Sequence, residues 1–329
     1  MSNNPLKFPG IKIGHADDKE ALTGCTVVLC EAGAVAGVDQ RGGAPGTRET
    51  DAIRPSHLVQ KAHGILLAGG SAFGLNAAAG VMKYLEERGV GYDVRIAKVP
   101  IVPAAILFDL GIGKADVRPD EKMGYAACMN ASSSVVVTGS VGAGMGATVG
   151  KVLGMQFAVK SGIGWGCIEV LPGLFVAALI AVNAFGDVID PGNGKIIAGV
   201  RRGIEPLNLT NAPIFANTLD VIRASDHSTL SMKVGENTVI GVVITNAGLS
   251  PEQANFVAQM AHDGLARTIR PAHTVYDGDT LFVLATGEKM VGANVIGMFA
   301  GEAVSMAVLD AVWSSEPAGG LPSANSCRV

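Results

Sequence analysis

Chemistry first suggests itself at Gly235-Glu236-Asn237-Thr238, where a polar stretch runs into the apolar sequence VIGVVITN of Val239–Asn246. The bland reading makes Asn237 a turn residue and Thr238 the β-branched start of a strand. The sharper reading is a chain break between Asn237 and Thr238. Thr238 would then carry a hydroxyl nucleophile and a free α-amine together. An α-amine titrates near ~7.7–8, so at neutral pH a useful fraction is unprotonated and can take the hydroxyl proton. Nucleophile and base on one residue is the N-terminal-threonine route to activation. Further on, Asp277-Gly278-Asp279 places two carboxylates either side of a glycine. Composition alone reads them as a hairpin turn, since Asp-Gly is a strong tight-turn pair.

Other constellations fail on spacing. Gly142-Ala143-Gly144-Met145-Gly146-Ala147 loosely matches G-x-G-x-x-A, and Gly150-Lys151 looks like the end of a phosphate loop. Such a loop needs Gly where Met145 stands and Ser or Thr where Val152 stands, and no acidic residue follows at dinucleotide spacing. These glycines read as close packing and tight turns. Gly69-Gly70-Ser71-Ala72-Phe73 lacks the second Gly of a nucleophile elbow, so Ser71 reads as a helix N-cap. The six histidines offer no H-x₃-H pair, and the five cysteines are scattered without CxxC spacing. Neither a metal site nor a disulfide framework is expected, and no cofactor.

The elements that must position this chemistry alternate. Cys25–Leu29, Gly64–Ala68 and Ser134–Thr138 read as buried strands, and Phe73 to Glu87 as a helix. A strand-rich block runs from Met155 to Val182, and Asp190-Pro191-Gly192-Asn193-Gly194 is a turn. The polar stretch from about Gly199 to Glu236 reads as a long linker. Val239–Asn246 and Leu281–Thr286 are strands. A helix begins at Ser250-Pro251-Glu252-Gln253, with Ser at N-cap, Pro at N1 and Gln at N3, and runs to about Ile269. A last apolar helix spans Ala293–Trp313. The pattern predicts layered α/β structure in one domain over residues 1–329.

Composition narrows the function classes. Only 16% of the 329 residues are charged and 44 are Gly, so much surface is expected to be hidden in a homo-oligomer. The net charge of −4 and the lack of a basic cluster speak against nucleic acid. The longest apolar run, Val170 to Val182, is broken by Pro172 and Gly173, and the N-terminus has no apolar core. No membrane partner and no secretory signal are expected, and the cysteines read as reduced thiols of a cytoplasmic protein.

Five segments carry a resemblance, in order along nearly the whole chain: Val38–Asp51 (VDQRGGAPGTRETD), Leu67–Leu75 (LAGGSAFGL), Gly142–Ala147 with Lys151, Asn237–Val242 (NTVIGV) and Asp277–Phe282 (DGDTLF). The chain resembles the self-processing L-aminopeptidase/D-esterase (DmpA-like) family, which includes β-peptidyl aminopeptidases and nylon-oligomer hydrolases. The resemblance implies an αββα sandwich and autocleavage between Asn237 and Thr238, giving an α chain 1–237 and a β chain 238–329. It also implies assembly of αβ protomers, as a tetramer. Thr238 is then the nucleophile, Asn183 a holder of the oxyanion and Lys151 a charge near the nucleophile. Asp277 and Asp279 occupy positions whose side chains hydrogen-bond the nucleophile and its amine. Both being Asp matches the nylon-hydrolase branch, whereas aminopeptidase members carry Ser and Glu. Phe108 stands where several members have a Tyr whose hydroxyl joins the oxyanion site, and Phe108 and Gly144 are assigned to the substrate pocket. The expected activity is hydrolysis of short peptides or small amides. An endo-acting amidase for ω-amino-acid oligomers is the alternative, and an uncleaved small-molecule or nucleotide-binding protein is the alternative of another class.

Overall fold

The computed structural model describes residues 4–203, 214–225 and 237–327. Its main elements are β1 (Ile11–Asp18), β2 (Thr23–Gln40), β3 (Lys61–Ala68), α1 (Ala77–Glu86), β4 (Ala104–Ile106), α2 (Glu121–Met129), β5 (Ile163–Leu171) and β6 (Leu174–Asn183). They continue with α3 (Thr218–Ala224), β7 (Thr238–Gly248), α4 (Pro251–Thr268), β8 (Thr280–Met290) and α5 (Ala293–Trp313). The main strands join in the order β5-β6-β7-β8-β2-β3-β4, with β1 on β2.

The length of β2 folds this sheet into two layers. Cys25–Leu29 pairs with Ala68–Gly64 of β3, and after an irregularity between Leu29 and Ala34 the strand goes on to pair with β8 over Val35–Gln40. Strand alternation then separates three apolar faces. Val28, Cys30, Ile65 and Leu67 turn inward to meet Leu179, Ile240, Val242, Ile244 and Phe282 of the other layer. Val27, Leu29, Leu66 and Ala68 turn outward under α1 and α2. Val176, Ile180, Val239, Val243 and Val283 turn the other way, under α4 and α5. The result is the αββα sandwich.

Glycine brings helix and strand together on β5. A Cβ built at Gly164 would lie 2.0 Å from the Ala307 carbonyl oxygen of α5, and one at Gly166 2.3 Å from that of Ala303. Any side chain there would push α5 off the sheet. By length and mean hydropathy (1.7), α5 matches a membrane-spanning helix. Its residues Ile296, Ala300, Ala303, Val304, Ala307, Val308 and Ala311 are instead buried in the core. The start of α4 is as expected: Ser250 Oγ accepts from the Gln253 amide at 3.3 Å, and Gln253 Oε1 from the Ser250 amide at 2.9 Å.

Three expectations are corrected. Ser134–Thr138 is not a sheet strand: it bridges the N-terminal segment at Val135, and Val135 and Val137 are exposed. The helix expected from Phe73 begins with a 3₁₀ turn, Ser71–Asn76, before α1 takes over. Ser71 is the first residue of that turn, at φ 55°, and the N-cap position is taken by Gly70. The linker expected from about 199 to 236 contains α3, capped by Asn217, while its parts 204–213 and 226–236 lie outside the described residues.

The close approach of α5 is testable. Gly164→Ala is expected to lower unfolding free energy by about 1–3 kcal/mol through overpacking, read as an earlier urea midpoint. An unchanged midpoint would refute the contact.

Candidate functional site

Thr238 opens β7, the strand between β6 and β8. Its position is set twice. Antiparallel pairing puts it opposite Asn183, the last residue of β6. Parallel pairing of Ile240 with Thr280 draws Asp277–Asp279 alongside, with Asn237 bridged to Asp277. The Asp-Gly-Asp stretch is therefore the lead-in to β8 and not a hairpin turn. Its backbone is gripped from outside: the Arg41 amide donates to the Asp279 carbonyl (2.8 Å) and the Ala44 amide to that of Asp277 (3.0 Å). Gly42, at φ 91°, allows this approach, because a Cβ there would lie 2.2 Å from the Asp277 oxygen. The Arg41-Gly42-Gly43-Ala44 sequence thus serves as a clamp on the site.

The Asn237 carbonyl lies between two donors. Gly278 N–H reaches it at 3.1 Å and the Thr238 hydroxyl at 2.5 Å. Both residues of this peptide bond are buried, and Asn237 Oδ1 has no partner among the described residues. A buried hydroxyl next to a carbonyl that already accepts a backbone hydrogen bond is an arrangement suited to acyl transfer.

A second group holds the far side. Lys151 Nζ donates to Asn183 Oδ1 (2.7 Å) and to its carbonyl oxygen (3.1 Å). Asn183 Oδ1 also accepts from the Thr148 amide (3.1 Å), and Nδ2 donates to the Phe108 carbonyl (2.9 Å). Phe108 is thus tied to the cluster by its backbone oxygen. Next to it, buried Asp109 accepts from Gly70 N–H and Thr23 Oγ1, so the Gly69-Gly70 motif anchors the Phe108 segment. Gly144 stands apart. Its carbonyl accepts from Lys160, and a Cβ there would lie 2.2 Å from the Ile163 amide, so it is enclosed by backbone.

The carboxylates divide their work. Asp277 Oδ2 accepts from the Thr274 amide at 2.7 Å. Burial first, then the neighbouring Asp279, pushes its pKa up to about 6, with Lys151 opposing. Asp279 Oδ1 accepts from Val239 N–H at 2.8 Å, the amide after Thr238, and Oδ2 contacts His273 Nδ1 at 2.8 Å. Neither carboxylate has a hydrogen bond to Thr238 itself among the described residues. Residue-by-residue reading of the sequence missed His273, a lone histidine whose only sequence signal is that it lies six residues before Asp279. Among the described residues, no His/Cys/Asp/Glu group could hold a metal ion.

The model of peptidase family S58 matches residues 7–324. An uncharacterized aminopeptidase of Mycobacterium tuberculosis (strain ATCC 25618 / H37Rv) is 40% identical, with 97% of this chain and 96% of the relative covered. A 6-aminohexanoate-oligomer endohydrolase of Agromyces sp. is 33% identical, over 92% of this chain and 84% of the relative. Among solved structures, the L-aminopeptidase D-Ala-esterase/amidase of Ochrobactrum anthropi, described as a variant of the Ntn hydrolase fold, superposes with a TM-score of 0.70 at 17% identity. It covers 97% of this chain and 88% of its own.

Asp277 yields a pH test. Its raised pKa means the folded state favours the protonated acid. The stabilisation is full below about pH 4, the unfolded value, and is lost as pH rises through about 6. Asp277→Asn is therefore expected to be more stable than wild type at pH 7 by about 1–3 kcal/mol, the gap closing by about pH 4. Denaturant unfolding at the two pH values measures this, and a variant less stable at pH 7 would contradict it.

Proposed function

This chain belongs to peptidase family S58, a hydrolase of peptide and amide bonds, and we propose that Thr238 is its nucleophile, released by self-cleavage between Asn237 and Thr238. The observation that carries the proposal is the Asn237 carbonyl held between the Thr238 hydroxyl and Gly278 N–H at the buried start of β7. In self-cleavage, Thr238 Oγ attacks the Asn237 carbonyl carbon. The oxyanion that forms keeps the Gly278 hydrogen bond, the C–N bond breaks as the nitrogen takes the hydroxyl proton, and an ester links Asn237 to Thr238 Oγ. Water hydrolyses that ester, leaving a free carboxyl on Asn237 and a free amine on Thr238.

The same atoms then serve turnover. The Thr238 amine accepts the hydroxyl proton as Oγ attacks a substrate carbonyl. It returns that proton to the leaving amine, and water releases the acyl group. Asn183, oriented by Lys151 and the Phe108 carbonyl, stands opposite Thr238 as a polariser of the substrate oxygen. Phe108 has no hydroxyl to add. Asp279 anchors the backbone just beyond the nucleophile, and Asp277, beside Asn237, supplies a carboxyl kept partly protonated near neutrality.

The substrates we infer are short peptides or small amides with a free N-terminus, in keeping with the relative named as an aminopeptidase over 97% of this chain. The Asp277/Asp279 pair favours a second reading, an endo-acting amidase on ω-amino-acid oligomers, the activity named for the 33%-identical relative. The low charge fraction supports self-association of αβ protomers, for which the family resemblance implies a tetramer, and the unpaired cysteines support a cytoplasmic setting.

A denaturing gel with mass spectrometry is expected to show fragments 1–237 and 238–329 in wild type. Thr238→Ala should give only intact chain and no measurable hydrolysis, because no hydroxyl remains for either attack. Normal cleavage in that variant would remove Thr238 from the mechanism.

A further inference from the structure

Two imidazoles stand beside the site, and the mechanism above uses neither. His262 lies on α4 and is fully buried. His273 lies between α4 and β8, and the two rings meet edge to face with centroids 4.9 Å apart. His262 Nε2 is 3.1 Å from the Asp39 carbonyl oxygen, an acceptor only, so Nε2 carries the hydrogen and Nδ1 keeps its lone pair. His273 Nδ1 is 2.8 Å from Asp279 Oδ2. An ionised carboxylate only accepts. The contact is therefore Nδ1–H donating to the carboxylate. Asp279 is held between this donor and the Val239 amide, one residue past Thr238.

The arrangement carries costs that plain packing would not require. His262 Nδ1 and His273 Nε2 are buried without a partner among the described residues, and such orphans are rare in native proteins. His273 also sits at φ 58°, a left-handed conformation that non-glycine residues seldom adopt.

We propose that His273 is a positioning residue for acyl transfer, its Nδ1–H fixing the Asp279 carboxylate against the Val239 amide and so fixing the Thr238 backbone and hydroxyl. The proposal rests on the reading of Thr238 as nucleophile.

Two variants separate positioning from mere filling. His273→Gly suits the left-handed backbone and deletes the donor. His273→Asn also tolerates that backbone and places an amide N–H near the position of Nδ1. On a peptide or amide that wild type turns over, processed H273G is expected to lose kcat about tenfold or more with KM within about threefold. H273N is expected to keep kcat within about threefold of wild type. H273G with wild-type kcat, or H273N as impaired as H273G, would overturn the proposal. Should H273G fail to fold, ¹⁵N-histidine NMR of wild type decides: a far-downfield Nδ1–H resonance assigned to His273 supports it, and its absence counts against it. Thr238→Ala keeps the premises apart. An active Thr238→Ala sinks the nucleophile reading, whereas an inactive one beside a fully active H273G sinks only the role of His273.

Discussion

Everything at the site depends on the register of one strand. β7 is central, antiparallel to β6 and parallel to β8, so the first residue of β7 is fixed from both sides by backbone hydrogen bonds. A shift by one residue would exchange Thr238 and Val239 between faces and take Val239 and Val243 out of the core under α4 and α5. The burial of those valines therefore fixes the placement of a hydroxyl. Packing on both faces of the sheet locks that placement more firmly than any polar contact within the site.

A ring of backbone clamps surrounds this register. Arg41 and Ala44 hold the carbonyls of Asp279 and Asp277, and Gly278 N–H holds that of Asn237. On the other side Lys151 spans the side chain and carbonyl of Asn183. The donors come from three stretches distant in sequence, yet none of the clamps needs a mobile side chain apart from Lys151. Such pre-set dipoles cost little reorganisation when charge develops on a carbonyl oxygen. The cost falls on Asp277, whose carboxyl is pushed up first by burial and then by the neighbouring Asp279.

The glycine-rich motifs take on a structural meaning. Gly164 and Gly166 seat α5, Gly42 admits the clamp on Asp277, and Gly69-Gly70 close over Asp109 beside Phe108. Gly144, expected at a substrate pocket, is enclosed by backbone and touches Lys160. Close approach of main chain to main chain, and at Gly69-Gly70 of main chain to side chains such as Asp109, accounts for these glycines.

By itself the sequence determined the strands and helices whose signals are local. The run Val239–Asn246, the Ser250 capping box and the apolar pattern of Ala293–Trp313 each lie within one element, where neighbouring residues decide the outcome. It also marked Thr238, because a hydroxyl residue opens an apolar strand behind Asn237. SVVVT at Ser134–Thr138 misled for the same reason, being locally strand-like but joined among the described residues by an isolated bridge to Pro5 and not by a strand ladder. Tertiary structure alone decided the partners. The pairing of Asn183 with Thr238 and the clamp by Arg41 and Ala44 join residues far apart in the chain, and the line from His262 through His273 to Asp279 joins near neighbours whose spacing has no helical or strand period. Composition and spacing carry no record of such contacts. Hydrogen bonds between distant segments form only once the core has fixed the register of the strands that bear them.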